Sequence, residues 1–226
     1  MTKLAIIHTT SATVETMKAL AAEYLPDAEL VNFIDDSILP QLGRNGGNLA
    51  DVEERLVHYS RFAEQVGADV ILEACSSVGE VVPKMQSAVS IPIVRIDDAM
   101  AEQAVQRGEH LGVAATLATT LQPTTRLLRA KAQVAGKQVE ITPLLIEGAY
   151  QKLMAGDRDG HDNLLVEKLQ DLARIVDVIV LAQASMARVL PRLSAADQDK
   201  ILVSPRLAME RVKNVVTSLS PSGKKN

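Results

Sequence analysis

Eight short apolar runs rich in β-forming residues recur along the 226-residue chain, at 4–8, 30–33, 70–74, 91–96, 111–115, 139–145, 178–181 and 201–203. Turn residues bound them, as expected of buried strands. Between them, 13–24, 48–67, 97–108, 119–135 and 162–176 carry apolar residues at three- and four-residue spacing, which gives a helix one face to bury. Strand alternating with helix predicts parallel βαβ units, and therefore an α/β fold.

The chain also echoes itself. Gly67-Ala68-Asp69-Val70-Ile71-Leu72-Glu73-Ala74-Cys75-Ser76-Ser77 is matched by Ile175-Val176-Asp177-Val178-Ile179-Val180-Leu181-Ala182-Gln183-Ala184-Ser185, and His8-Thr9-Thr10-Ser11 by Ala115-Thr116-Leu117-Ala118-Thr119-Thr120. Each echo joins a strand to a small, polar exit. The expectation is two pseudo-symmetric halves, each a parallel sheet flanked by helices and each the size of a small domain. The first would comprise 1–97 plus 205–220, with 205–219 returning to it as a helix, and the second 98–204. Residues 221–226 read as a disordered tail.

Composition narrows the function. A formal net charge of -4 and 23% charged residues favour neither nucleic acid nor an anionic membrane as partner. Without tryptophan, and with only two phenylalanines and three tyrosines, stacking platforms for bases or sugars are scarce. One cysteine rules out an intramolecular disulfide framework and a cysteine-rich zinc site. No apolar run approaches the ~20 residues that span a bilayer, and the start resembles no signal peptide. The expectation is a cytoplasmic protein.

That cysteine, Cys75, follows an apolar strand and precedes Ser76, Ser77 and Gly79. Ligands of parallel α/β sheets bind at the carboxyl edge. A thiol there can serve as nucleophile or acid/base, and helix-start amides or a protonated His8 would favour its thiolate. Buried cysteine is also a common small core hydrophobe. Glu73 lies on the same side of an extended strand as Cys75, so it could orient the thiol or hold it protonated.

The chain resembles the aspartate/glutamate/hydantoin racemase superfamily, most specifically through Ala74-Cys75-Ser76-Ser77, Leu111-Gly112-Val113-Ala114-Ala115-Thr116-Leu117-Ala118-Thr119-Thr120 and the strand exit after Val178. The resemblance implies an active site in the cleft between the two halves, no cofactor, and a substrate carboxylate held by strand-exit hydroxyls and amides. Two cysteines would flank the carbon that loses and regains a proton. It implies Cys75 as the catalytic acid/base, with Thr9, Thr10, Thr116 and Thr119 at substrate-binding positions; Ser76, Ser77, Gln183 and Ser185, at the same strand exits, are further candidates to bind substrate. A homodimer is a common assembly in the family.

The second-half cysteine, commonly in Gly-Cys-Thr-His, is replaced here by Gln183 in Ala182-Gln183-Ala184-Ser185. An amide moves no proton near neutral pH. Three chemistries fit a single thiol: racemisation or epimerisation with another second group such as His8, Glu147 or His161; isomerisation through an enediol; or decarboxylation with Cys75 protonating the carbanion. The expectation is a cofactor-independent, racemase-like isomerase acting on a small carboxylated or hydroxylated metabolite. A one-cysteine decarboxylase or a non-catalytic binding protein is the alternative.

Other features have plainer readings. Glu147 is expected to open a helix, where the dipole favours a carboxylate, and His161 to lie in a solvated polar loop. The stretch 35–48 is long, polar and glycine-rich, consistent with a mobile lid whose Arg44 meets an acidic substrate. Asp35-Asp36 lacks further ligands at metal-binding spacing, and no Gly-rich phosphate motif is present.

Overall fold

The computed structural model describes residues 1–219; the tail expected at 221–226 lies outside them. In chain order it contains β1 (Lys3–His8), α1 (Val14–Tyr24), β2 (Glu29–Ile34), α2 (Ile38–Arg44), α3 (Ala50–Gln65), β3 (Val70–Glu73), α4 (Val82–Ser87), β4 (Ile93–Arg95), α5 (Asp98–Arg107), β5 (His110–Ala115), α6 (Ala118–Val134), β6 (Glu140–Leu145), α7 (Ala149–Met154), α8 (Arg158–Ala173), β7 (Val178–Leu181), α9 (Ala195–Lys200), β8 (Ile201–Val203) and α10 (Ser204–Leu219). Three 3₁₀ segments, Ser11–Thr13, Gly79–Val81 and Ala184–Arg192, lie in the connections that leave β1, β3 and β7.

Two compact units divide the chain. Met1–Ile96 and, among the described residues, the chain from Pro205 form one, and Asp97–Ser204 the other. Asp97, expected in the first half, thus groups with the second. Each unit holds a four-stranded sheet, ordered β2-β1-β3-β4 in the first and β6-β5-β7-β8 in the second, and every strand pairing among the described residues is parallel. The orders are the same when each strand is advanced by four. Among the described residues no helix is long and apolar enough to cross a membrane.

In the first unit, alternate strand residues enter two cores, because successive side chains point to opposite faces. Leu4, Ile6, Val70 and Leu72 pack with Met17 and Leu20 of α1 and with Ala208, Met209 and Val212 of α10. Ala5, Ile7 and Ile71 pack instead with Ile38, Leu42, Val52, Leu56 and Met85 from α2, α3 and α4. Both faces are covered, which is why the strands read as unbroken apolar runs. The second unit buries Ala114, Ile179 and Leu181 against Leu165, Leu169 and Leu172 of α8. Gly112 in β5 lets Leu172 pack close to the strand: a Cβ there would come within 2.8 Å of the Leu172 side chain, which would have to shift.

Two expectations about connections are corrected. Half of the stretch 35–48 is α2, with Ile38 and Leu42 buried in the core. Asp35 accepts from Ser37, Arg55 and Tyr59, so these contacts fasten the segment, and Arg44 is exposed. Helix α8 begins four residues before the expected 162, with Asp157 accepting the Gly160 N–H at 2.8 Å as its cap. His161 is consequently buried, with Nδ1 2.8 Å from Asp162 Oδ1.

Candidate active site

The register places the functional exits. In the first sheet Ile7 stands opposite Glu73, and the Ala74 N–H donates to Ile7 O at 3.0 Å. In the second, Ala114 stands opposite Leu181, and the Ala182 N–H donates to Ala114 O at 2.9 Å. Counting outward, Thr9 corresponds to Thr116 and Cys75 to Gln183. Both pairs leave the two central strands, between which the chain reverses its direction of winding, and such switch points are where α/β sheets bind ligands.

Cys75 is partly exposed and borders the core beneath α3 and α4. Its thiol is pushed up to about 11 by burial first and by the Glu73 charge second; the Thr9 hydroxyl and the Ser77 N–H and hydroxyl pull the other way without prevailing. At neutral pH it is therefore a thiol. The expected activation by helix-start amides is limited to the Ser77 N–H and does not prevail, because Cys75 is followed by a turn, a three-residue 3₁₀ segment and only then the six-residue α4. Too few aligned peptides stand there for a substantial dipole. Glu73 is fully buried, and its Oε1 accepts the Cys75 N–H at 2.7 Å. Ser76 and Ser77 are buried, and Thr9 Oγ1 is enclosed without a well-aligned hydrogen-bond partner. Thr10, partly exposed, accepts the Ala12 N–H at 3.3 Å and so caps the 3₁₀ turn.

His8 is fully buried, with Nδ1 3.0 Å from Thr13 Oγ1 and Nε2 3.0 Å from Asn32 Oδ1. The carbonyl oxygen of Asn32 can only accept, so Nε2 carries the proton and Nδ1 accepts from the Thr13 hydroxyl. Burial lowers the imidazole pKa, the Asn32 bond opposes this, and Lys18 adds to it. His8 is thus a neutral ring with both nitrogens engaged, and it supplies no cation to activate the thiol.

Arg95 is the residue that sequence reasoning missed. It lies opposite Glu73 in the β3–β4 register, and a Cβ on Gly79 would overlap its guanidinium. The glycine four positions after Cys75 therefore makes room for a cation at the edge that carries the thiol. The only sequence signal was an arginine ending a short strand.

In the second unit Gln183 Oε1 accepts both the N–H of Thr116 at 2.6 Å and its hydroxyl at 2.9 Å. Both residues are partly exposed, as is Thr119 in the first turn of α6, while Ser185 is exposed on the 3₁₀ segment. Glu147 is exposed in a turn and does not open a helix: α7 starts at Ala149, behind Gly148 in the left-handed region at φ 80°. The geometry brings together Thr9, Cys75, Ser77 and Glu73 in one unit and Thr116 with Gln183 in the other.

Solved structures share this fold. Glutamate racemase isoform RacE1 from Bacillus anthracis is 14% identical, with 97% of this chain and 83% of that one covered at a TM-score of 0.75. An aspartate racemase from Picrophilus torridus is also 14% identical, with 96% and 94% covered at 0.70. A glycine-to-cysteine mutant of arylmalonate decarboxylase is 15% identical, with 98% and 96% covered at 0.56. No curated protein sequence matches the chain. The sequence profile described as Asp/Glu/Hydantoin racemase matches residues 4–212, nearly the whole length, and the chain belongs to that family.

Proposed function

We propose that the chain is a cofactor-independent, racemase-type isomerase that moves a proton at a carbon of a small carboxylated or hydroxylated metabolite, with Cys75 as the acid/base. The observation that carries this reading is a lone thiol at the switch point of a sheet, held protonated by burial and by Glu73. Deprotonating carbon next to a carboxylate builds enolate charge, which preorganised donors must stabilise. Thr9, Ser76 and Ser77 are the candidates in the first unit. Thr116, Thr119, Gln183 and Ser185 are candidates in the second.

A thiol of raised pKa gives up its proton reluctantly, but the thiolate left behind is a correspondingly strong base. Cys75 can thus protonate an enolate or enediolate carbon and take a proton back from the same face. No second proton carrier is evident at Gln183, an amide, or at His8, whose nitrogens are both engaged. The reading therefore favours isomerisation through an enediol over inversion by two opposed bases.

The protonated thiol also supports a second reading, decarboxylation. The carbon–carbon bond to a carboxylate breaks, its electron pair stays on the substrate carbon as carbon dioxide leaves, and the Cys75 proton moves to that carbon. Water then reprotonates the thiolate.

Incubating a panel of small α-hydroxy aldehydes and ketones, 2-hydroxy and 2-amino acids and malonic acids in deuterated water separates the readings. Label gained with a shifted carbonyl supports isomerisation, label gained with inversion of the stereocentre supports racemisation, and label gained with loss of carbon dioxide supports decarboxylation. Binding without label indicates a protein that has lost its chemistry. Cys75→Ser is expected to reduce turnover by about a hundredfold or more, and full activity in that variant would overturn the assignment.

A further inference from the structure

The hydrogen bonds at Gln183 fix which way its amide faces. Both Thr116 groups that meet it are donors: the backbone N–H, 2.6 Å from Oε1, and the hydroxyl, 2.9 Å from the same atom. A backbone N–H cannot accept, so the amide cannot flip without setting its own NH₂ against a donor. The carbonyl oxygen is engaged twice, and among the described residues nothing accepts from Nε2. Gln183 is partly exposed. It therefore offers two N–H donors to whatever binds there, with its acceptor turned away.

We infer that Thr116 locks Gln183 as a donor-only contact, so that this edge selects a substrate carboxylate over the corresponding amide, and that the pair determines specificity. This rests on the part of that reading that makes small carboxylated metabolites the ligands of the site. It narrows that reading, because a hydroxyl or ammonium offered as donor to Gln183 finds no acceptor. At the corresponding place in the first unit, the Thr9 hydroxyl faces a thiol and has no well-aligned partner. The same threonine position thus serves a reactive group in one unit and fixes a recognition group in the other.

Calorimetric binding to the Cys75→Ser protein tests this without turnover, using the pairs lactate and lactamide, alanine and alaninamide, and malonate and malonamide. Charge-assisted bonds to the two amide hydrogens are expected to favour at least one acid over its amide by about ten- to a hundredfold. Gln183→Glu keeps an acceptor for Thr116 but turns an anionic oxygen outward, and should abolish or reverse the preference. Gln183→Met removes the donors at similar volume and should reduce acid binding to the level of the amide. Thr116→Val deletes the hydroxyl but keeps the N–H, and should lower the preference partially. Equal binding of acids and amides by Gln183, failure of every acid to bind, or an acid preference that persists in Gln183→Glu would each overturn the inference. An acid preference of Gln183 without deuterium exchange in the unsubstituted protein would defeat the catalytic reading and leave this one standing.

Discussion

Glu73 Oε1 accepts the backbone N–H of Cys75 at 2.7 Å, so a fully buried carboxylate is fixed two residues from the thiol whose proton it helps to retain. Burial is the larger cause of the raised pKa and the Glu73 charge the second. Glu73→Gln keeps an acceptor for the N–H and removes the charge. It should lower the thiol pKa and speed alkylation by iodoacetamide at pH 8, read against thiolate absorbance at 240 nm. An unchanged or higher pKa would show that Glu73 does not act on the thiol electrostatically.

The same shift makes stability depend on pH. The folded pKa, about 11, exceeds the ordinary value of a cysteine thiol, 9.0. Below the unfolded value both states hold the proton and the contribution is complete. As pH rises from there, the unfolded chain ionises first and the contribution falls, until it is gone above the folded value. Urea titrations between pH 8 and 11 should show the unsubstituted protein losing up to about 2 kcal/mol relative to Cys75→Ser. Parallel curves for the two proteins would contradict the shift.

Gly79 and Arg95 should be coupled. A methyl group at Gly79 overlaps the guanidinium of Arg95, and relief requires the arginine to move. Gly79→Ala is expected to cost about 1–3 kcal/mol by overpacking and to alter activity through the displaced cation. Adding Arg95→Ala should remove much of the packing penalty, so the double-mutant cycle should give a coupling of about 1 kcal/mol or more. Strict additivity would mean that the side chain swings aside freely.

His8 should remain neutral at pH values where an exposed histidine is half charged. With the folded pKa lowered by burial, its stabilising contribution is present above roughly 6.5 and declines as pH falls through the lower folded value. Nitrogen-15 NMR should show the Nε2–H tautomer, matching donation to Asn32, and no titration of His8 at pH 6.5. A charged ring at that pH would instead make His8 available as an acid.

Met209 on α10 is fully buried with Met17 and Leu20 of α1 against β1 and β3. Met209→Ala should cost about 2–5 kcal/mol through lost burial and the cavity left behind, measured by urea denaturation. A smaller loss would indicate that α10 packs loosely on the first sheet.

Side-chain period alone determined much of this protein. The apolar runs marked the eight strands and the five longer helices between them, α1, α3, α5, α6 and α8, and the matched exits after Ala74 and Ala182 exposed the repeat and put Cys75 at a strand end. These features were legible because a strand or helix records which face it buries in the spacing of its own residues. Tertiary structure decided the chemistry at those positions. Glu73 was visibly near Cys75 in sequence, but its effect, like the protonation of the thiol, depends on burial. The orientation of Gln183 depends on Thr116, 67 positions away in sequence, and the neutrality of His8 depends on enclosure and on Asn32, 24 positions away. His161 reads as solvated in sequence, but α8 places it inside, and the place of Arg95 at a strand end gives no sign that its guanidinium lies against Gly79. Protonation states and amide orientations are set by which groups the fold brings together and how far it removes them from water, and neither leaves a period in the sequence.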